Sequence, residues 1–167
     1  MKGGTKMLKT LSLVALALPV LLLVAGQIGM LQGQRPGDLG ITEGRLKKLS
    51  DTPNSVSSQA SLYPDHPQAT YAAIDPLPLL QRDAQISMQT LSKVLRAMPG
   101  MTVIEQRPDY IYAQAQTRWL KFTDDMEFWV NPAKQAIDVR SASRLGRKDF
   151  SANRHRLEAV RTAYLKQ

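Results

Sequence analysis

At 167 residues the chain suffices for one compact domain with a short appendage, and not for two ordinary domains. Its 22 Lys and Arg against 14 Asp and Glu give a formal charge of +8, which suits an acidic surface, an anionic lipid or nucleic acid and selects none of them. Cysteine is absent, so disulfides, thiol nucleophiles and cysteine-ligated zinc are excluded, and His66 and His155 are the only imidazoles.

The first element is apolar. No charged residue occurs from Leu11 to Leu31, a stretch matching the roughly 20 residues a helix needs to cross the hydrocarbon of a bilayer. Lys2, Lys6 and Lys9 precede it and no acidic residue occurs before Asp38. The positive-inside rule then places residues 1–10 in the cytoplasm and everything after Leu31 outside. The reading is a single-pass anchor over 11–31 in the cytoplasmic (inner) membrane, with a periplasmic C-terminal domain. A cleaved signal peptide is the alternative, because Val24, Ala25 and Gly26 offer small residues at cleavage positions. Attachment through a lipidated cysteine is excluded.

Residues 32–83 are rich in Pro, Gly, Ser and Asp and read as an extended linker or wrapping segment without regular structure. An α+β domain is expected over 84–167. Ala84, Met88, Leu91, Leu95 and Met98 recur at helical spacing before Pro99 and Gly100. Four short strands follow, at Met101–Gln106, Tyr110–Gln116, Lys121–Val130 and Ala136–Ala142, separated by turn formers. Ser151 is the expected N-cap of a last helix carrying Leu157, Val160 and Tyr164 on one face. Opposing Val130 to Gln135 pairs Phe128 with Ile137, Met126 with Val139, Asp124 with Ser141 and Asp125 with Arg140, which makes one face apolar. The expected fold is a four-stranded antiparallel meander with two helices packed on one face.

Four motifs in order carry a family resemblance: Leu39 to Leu46 (LGITEGRL), Pro53 to Ala60 (PNSVSSQA), Phe122 to Phe128 (FTDDMEF), and Arg140 to Gly146 (RSASRLG) with Asp149, Asn153, Arg154 and Arg156. From about Leu39 to the C-terminus the chain resembles the domain of unknown function 1499 family. That resemblance implies an exported, often membrane-anchored bacterial protein and no established activity. The family commonly places cysteines around the Pro-Asn motif; here Asp51 and Ser55 stand there, so a thiol or disulfide role is void.

Asp124, Asp125 and Glu127 invite a metal or acid/base reading, but strand alternation keeps them from converging on one ion. They read as a structural acidic group paired with arginines. Asp125 with Arg140 is the first candidate pair, and Asp124, on the apolar face, needs a cation or several donors, which Arg118 or Arg144 could supply along with the Ser141 hydroxyl. No metal or cofactor is implied. The stretch from Arg140 to Lys166 is the basic pole. Its candidate anion-binding residues are Arg140, Ser143, Arg144, Lys148, Asn153, Arg154 and Arg156, gathered around the loop entering the last helix. The competing reading is a basic face bonded internally to backbone carbonyls and to the acidic group. Nucleic acid is disfavoured, since the topology is exported and no stacking or groove-reading motif occurs. No serine-nucleophile motif surrounds Pro53 to Ala60, and Asn54, Ser55, Ser57, Ser58 and Gln59 read as a loop whose hydroxyls and amides satisfy buried backbone groups. His66 reads as a turn residue and His155 as solvent-facing. Trp119 and Trp129, opposite the apolar face, mark a partner or membrane contact if both are exposed.

The first functional reading is a non-enzymatic, membrane-anchored exported module that binds an anionic ligand, lipid headgroup or envelope protein. The alternatives are a hydrolase with Asp124 as base and Arg144 as anion clamp, and a structural subunit of an envelope complex. Partners and oligomeric state are not legible.

Overall fold

The computed structural model describes the backbone of residues 2–167 and the side chains of residues 11 and 14–167. The elements are helix α1 (Lys2–Gln27), strand β1 (Ser55–Ser57), a 3-10 turn (Ala60–Leu62), helix α2 (Ala69–Ala72), strand β2 (Leu77–Pro78), a second 3-10 turn (Leu80–Arg82), helix α3 (Ala84–Ala97), strands β3 (Met101–Gln106), β4 (Tyr110–Gln116), β5 (Thr123–Asn131) and β6 (Ala136–Ser143), and helix α4 (Ala152–Tyr164). The class is α+β.

The sheet is antiparallel and runs β1-β6-β5-β4-β3, with β2 also paired to β6. It therefore exceeds the expected four-stranded meander. The two additional strands come from the segment expected to be irregular. Ser55, Val56 and Ser57 pair with Ala142, Ser141 and Arg140, and Leu77 and Pro78 pair with Ile137 and Ala136. Such short strands show little periodicity, and Pro78 is tolerated because β2 is an edge piece.

One sheet face, with Ile111, Ala113, Met126, Phe128, Ile137 and Val139, forms the main core with Met88, Leu91 and Leu95 of α3 and Leu157, Val160 and Tyr164 of α4. Both long helices of the body thus cover one side, as their apolar stripes require. Asp83 caps α3, accepting from the Ile86 N–H at 2.8 Å. The other sheet face is covered by residues 33–50, here called the strap. Its Leu39, Ile41 and Leu46 pack on Tyr110, Tyr112 and Trp129.

The β5–β6 register differs from expectation by two residues. Phe128 faces Val139, Met126 faces Ser141, Asp124 faces Ser143 and Glu127 faces Arg140. A two-residue shift preserves the faces and changes the partners. The expected pairing sets Glu127 opposite Asp138, two carboxylates that are both buried. The observed one sets Glu127 opposite Arg140 and Asp138 opposite Trp129, removing the like-charge pair. Asn131 seats the turn, its Oδ1 accepting from the N–H groups of Ala133 and Lys134 at 3.0 and 3.3 Å.

Helix α1 ends at Gln27, not Leu31. Among the described residues no helix is long and apolar enough to cross a membrane, so the transmembrane span expected over 11–31 is unsupported. Lys2, Lys6 and Lys9, on which the expected orientation depends, lie outside the described side chains. The described side chains from Val14 to Val24 are exposed, and contact with the body begins at Gly26, which is buried. A Cβ there would lie 2.6 Å from the Leu120 carbonyl oxygen, and the Gln27 Nε2 donates to the Trp119 carbonyl at 2.8 Å.

Gly100, between α3 and β3, has φ +74° and a space in which a Cβ would sit 2.6 Å from the Gln116 carbonyl oxygen. Gly100→Ala combines a left-handed backbone with a backbone collision. It should lower the unfolding free energy by at least about 1–3 kcal/mol, read as a lower urea midpoint with unchanged slope.

Candidate functional site

The chemistry-bearing residues gather on β5, β6 and the loop into α4, on both faces of the sheet. Alternation along β5 sends Asp125 and Glu127 toward the strap and Asp124 toward α4. Each carboxylate meets a different arginine. Asp124 Oδ2 lies 2.7 Å from Arg156 Nη1, Asp125 Oδ1 lies 2.7 Å from Arg144 Nη2, and Glu127 Oε2 lies 3.3 Å from Arg140 Nη1. The Asp125–Arg140 pair expected from the shifted register is thus replaced by two others. The cation for Asp124 comes from α4, one turn in, rather than from Arg118 or Arg144.

Under the strap these pairs extend into a polar layer. Asp125 also accepts from the Tyr112 hydroxyl at 2.6 Å, and Arg144 grips Asp125 through Nε (2.9 Å) and Nη2. This bidentate contact holds the Arg144 guanidinium protonated more firmly than usual. Glu127 accepts from the Tyr110 hydroxyl at 2.9 Å and from the Gly40 N–H of the strap at 2.7 Å. Burial, followed by the Glu127 charge, pushes the Tyr110 hydroxyl far above its ordinary value, so it stays a donor. The Arg140 guanidinium is fully buried. Burial lowers its basicity and Glu127, Asp125 and Asp38 oppose that. Arg140 Nη2 reaches the Lys48 carbonyl at 3.5 Å, and its Nε has no partner.

Asp138 is a third buried carboxylate on that face. It accepts from Ser58 (2.7 Å), Gln59 (2.8 Å), Asn131 (2.7 Å) and Lys134 (3.0 Å). Burial would raise its pKa, but these four donors outweigh burial and hold the carboxyl below its ordinary value. Gln59 also accepts from the Leu46 N–H at 2.9 Å, which ties the strap to β6 through one side chain.

At the start of α4 the anion position is filled by the protein. Ser151 is left-handed (φ 65°) and makes no side-chain cap, contrary to expectation. Asp149 takes the role, accepting from the N–H groups of Ser151 and Asn153 at 3.1 Å each, from Asn153 Nδ2 at 2.9 Å and from the Tyr71 hydroxyl. Burial works against the Asp149 carboxylate, and these donors still hold its pKa below the usual range. Asn153, fully buried, donates also to the Asn54 carbonyl and the Ser143 hydroxyl, at 3.1 and 3.0 Å.

The anion-binding candidates are accordingly placed among protein partners. Arg140, Arg144 and Arg156 hold carboxylates, Ser143 and Asn153 bond one another, and Arg154 donates to the carbonyls of Tyr71 and Ala73. Lys148 stands exposed and enters none of these pairs. Asp124 and Arg144, paired in the hydrolase alternative, are not brought together, since Arg144 is committed to Asp125 on the opposite face. Asp124 lines a cavity of about 300 Å³ with Phe122, Ser143, Lys148, Phe150 and Arg156, but is itself buried and neutralised. A larger hollow of about 850 Å³, between α3 and the β3–β4 hairpin, is lined by Met88, Gln89, Arg107, Asp109 and Val130. Trp129 is buried under the strap, and Trp119 is 62% exposed. His66 sits in a turn, its Nδ1 accepting from the Gln68 N–H at 3.1 Å.

A family model described as a protein of unknown function, DUF1499, matches residues 45–164, and the chain belongs to that family. No curated protein and no solved structure matches it. The motifs that carry the resemblance are the parts of the network just described: Gln59, Asp125, Glu127, Arg140, Arg144, Asp149, Asn153 and Arg156 all bond one another or the strap. Sequence reasoning missed Tyr110 and Tyr112, although their shared parity along β4 places them with Asp125 and Glu127. It missed Asp138 because the strap that buries it has no periodicity, whereas Gln59, read as one of the amides that satisfy buried backbone groups, accepts from the buried Leu46 N–H.

Arg140→Met leaves Glu127 buried without its cation. It should lower stability by about 3–5 kcal/mol, and adding Glu127→Gln should restore much of that loss in urea unfolding. Asp138 has a lowered folded-state pKa, so its stabilisation is present above the ordinary carboxylate value of about 4 and is lost as pH falls through the folded value. Asp138→Asn should therefore be less stable than the native chain at pH 7, by about 1–3 kcal/mol. The gap should close as thermal unfolding is followed down below about pH 4.

Proposed function

We propose that the chain is a non-enzymatic module tethered to the outer face of the cytoplasmic membrane by α1, its body presenting a binding surface to an anionic lipid or an envelope partner. The observation that carries this reading is α1 itself, whose exposed side chains from Val14 to Val24 are Val, Ala, Leu and Pro throughout and are covered by nothing in the body. A helix surface of that composition needs an apolar environment. The absence of catalysis is supported by the burial of Asp124, Asp125 and Glu127 and the matching of each to a guanidinium. Anion recognition falls to exposed cations such as Arg147 and Lys148, since Arg140, Arg144, Arg154 and Arg156 are engaged internally.

The test is fractionation of the full chain in an exporting bacterium. The tether reading expects the intact mass in the membrane pellet after alkaline carbonate washing, with the body digested by protease added outside spheroplasts. Recovery in the soluble fraction, or a mass shortened by cleavage near Ala25, would overturn it.

A further inference from the structure

The β4–β5 and β6–α4 loops lie side by side: the Arg144 N–H donates to the Thr123 carbonyl at 3.2 Å, and Phe122, Leu145 and Phe150 line one cavity. Together they present Trp119, Phe122, Leu145 and Phe150 outward, with Phe150 87% exposed, more than any other large apolar residue described. Phe150 and Ser151 both have positive φ, 50° and 65°. That left-handed backbone is unusual for a bulky side chain, and it turns the ring away from the core. A chain that buries Phe128, Tyr110, Tyr112 and Tyr164 completely has left these four outside at one end.

The same two loops carry Arg118, Lys121, Arg147 and Lys148 and no exposed acid, since Asp149 is buried in its capping role. The Arg118 guanidinium stands 5.0 Å from the Trp119 ring. This end is also where α1 leaves the body, with Gly26 against Leu120 and Gln27 bonded to the Trp119 carbonyl. Aromatic tips interleaved with lysine and arginine, beside an apolar helix, match the chemistry of a bilayer interface. Rings sit at headgroup depth there and cations meet lipid phosphates.

We infer that this end of the body docks on an anionic bilayer surface, with the Trp119, Phe122, Leu145 and Phe150 side chains in the headgroup region and the four cations on lipid phosphates. The docking deepens the tether reading and rests on it for the side that faces lipid. A protein partner is disfavoured because Arg118, Lys121, Arg147 and Lys148 stand on the same two loops as the apolar side chains, so the patch is apolar and cationic together.

The test uses the full chain in vesicles whose acyl chains are brominated, with phosphatidylglycerol or with phosphatidylcholine alone. Trp129→Phe leaves Trp119 as the sole tryptophan, excited selectively near the red edge of its absorption, and Trp119→Phe leaves the buried Trp129 as a control. The expected result is blue-shifted Trp119 emission, quenched several-fold more by brominated phosphatidylglycerol than by phosphatidylcholine, with Trp129 unmoved. Combined Lys121→Glu and Lys148→Glu should remove most of that quenching while carbonate-resistant sedimentation persists. Trp119 open to aqueous iodide and untouched by either lipid, in a chain that still resists carbonate, would overturn the docking and leave the tether standing. Quenching that survives both charge reversals would attribute it to the tether alone and also overturn the docking. Lipid quenching in a chain that carbonate extracts would support the docking and sink the tether. Shielding of Trp119 only by a co-purifying protein would overturn the lipid assignment.

Discussion

A carboxylate taken out of water must find a cation or several donors, and β5 takes three of them out between Asp124 and Glu127. The cations arrive from three places: Arg156 from α4, Arg144 from the loop that precedes it, and Arg140 from the neighbouring strand. Strand alternation forces the split, because Asp124 faces the helices and the other two face the strap. A single strand thereby dictates what covers each face. Such pairs contribute modestly to net stability, since desolvation offsets most of their attraction. Their larger effect is on which arrangement is allowed. The β5–β6 register is the clearest instance, because a two-residue slip keeps every face and is rejected by the meeting of Glu127 with Asp138.

The strap follows from the same constraint. Its apolar contribution is small, resting on Leu39, Ile41 and Leu46, and its polar attachments are specific. The Gly40 N–H reaches Glu127, the Leu46 N–H reaches Gln59, and the Lys48 carbonyl meets Arg140. Arg35 lies 4.3 Å from the Tyr112 ring and adds a cation–π contact at the far end. The strap is therefore a lid over charge rather than over hydrocarbon. The family motifs on Pro53 to Ala60 and on β5 and β6 are, in physical terms, the fittings of that lid.

The boundaries of β3, β4 and α3 and the apolar face were legible because they rest on local patterning, period two in Tyr110–Gln116 and steps of three and four from Ala84. The resemblance carried on four ordered motifs was legible for the same reason, being local. What could not be read was set by distant partners. Ser55 to Ser57 and Leu77–Pro78 become strands only because β6 offers them an edge. Arg156 read as a ligand for an outside anion, and its role as the partner of Asp124 is set only where α4 docks over β5; the cap of α4 passed from Ser151 to Asp149 when Ser151 adopted a left-handed backbone. The anion site expected at that helix start is taken by Asp149, so the free cations lie one step out, at Arg147 and Lys148.

The most direct measurement of the charge-directed lid is amide hydrogen exchange of Gly40 and Leu46. If Glu127 and Gln59 hold the strap down, both amides should exchange at rates close to those of core strands β4 and β5 in the native chain. In Glu127→Met, which removes the acceptor, made together with Arg140→Met so that no charge is left buried alone, the Gly40 amide should lose that protection while β4 and β5 keep theirs. A Gly40 amide that exchanges at open-loop rates in the native chain, or one indifferent to loss of the Glu127 carboxylate, would contradict the account.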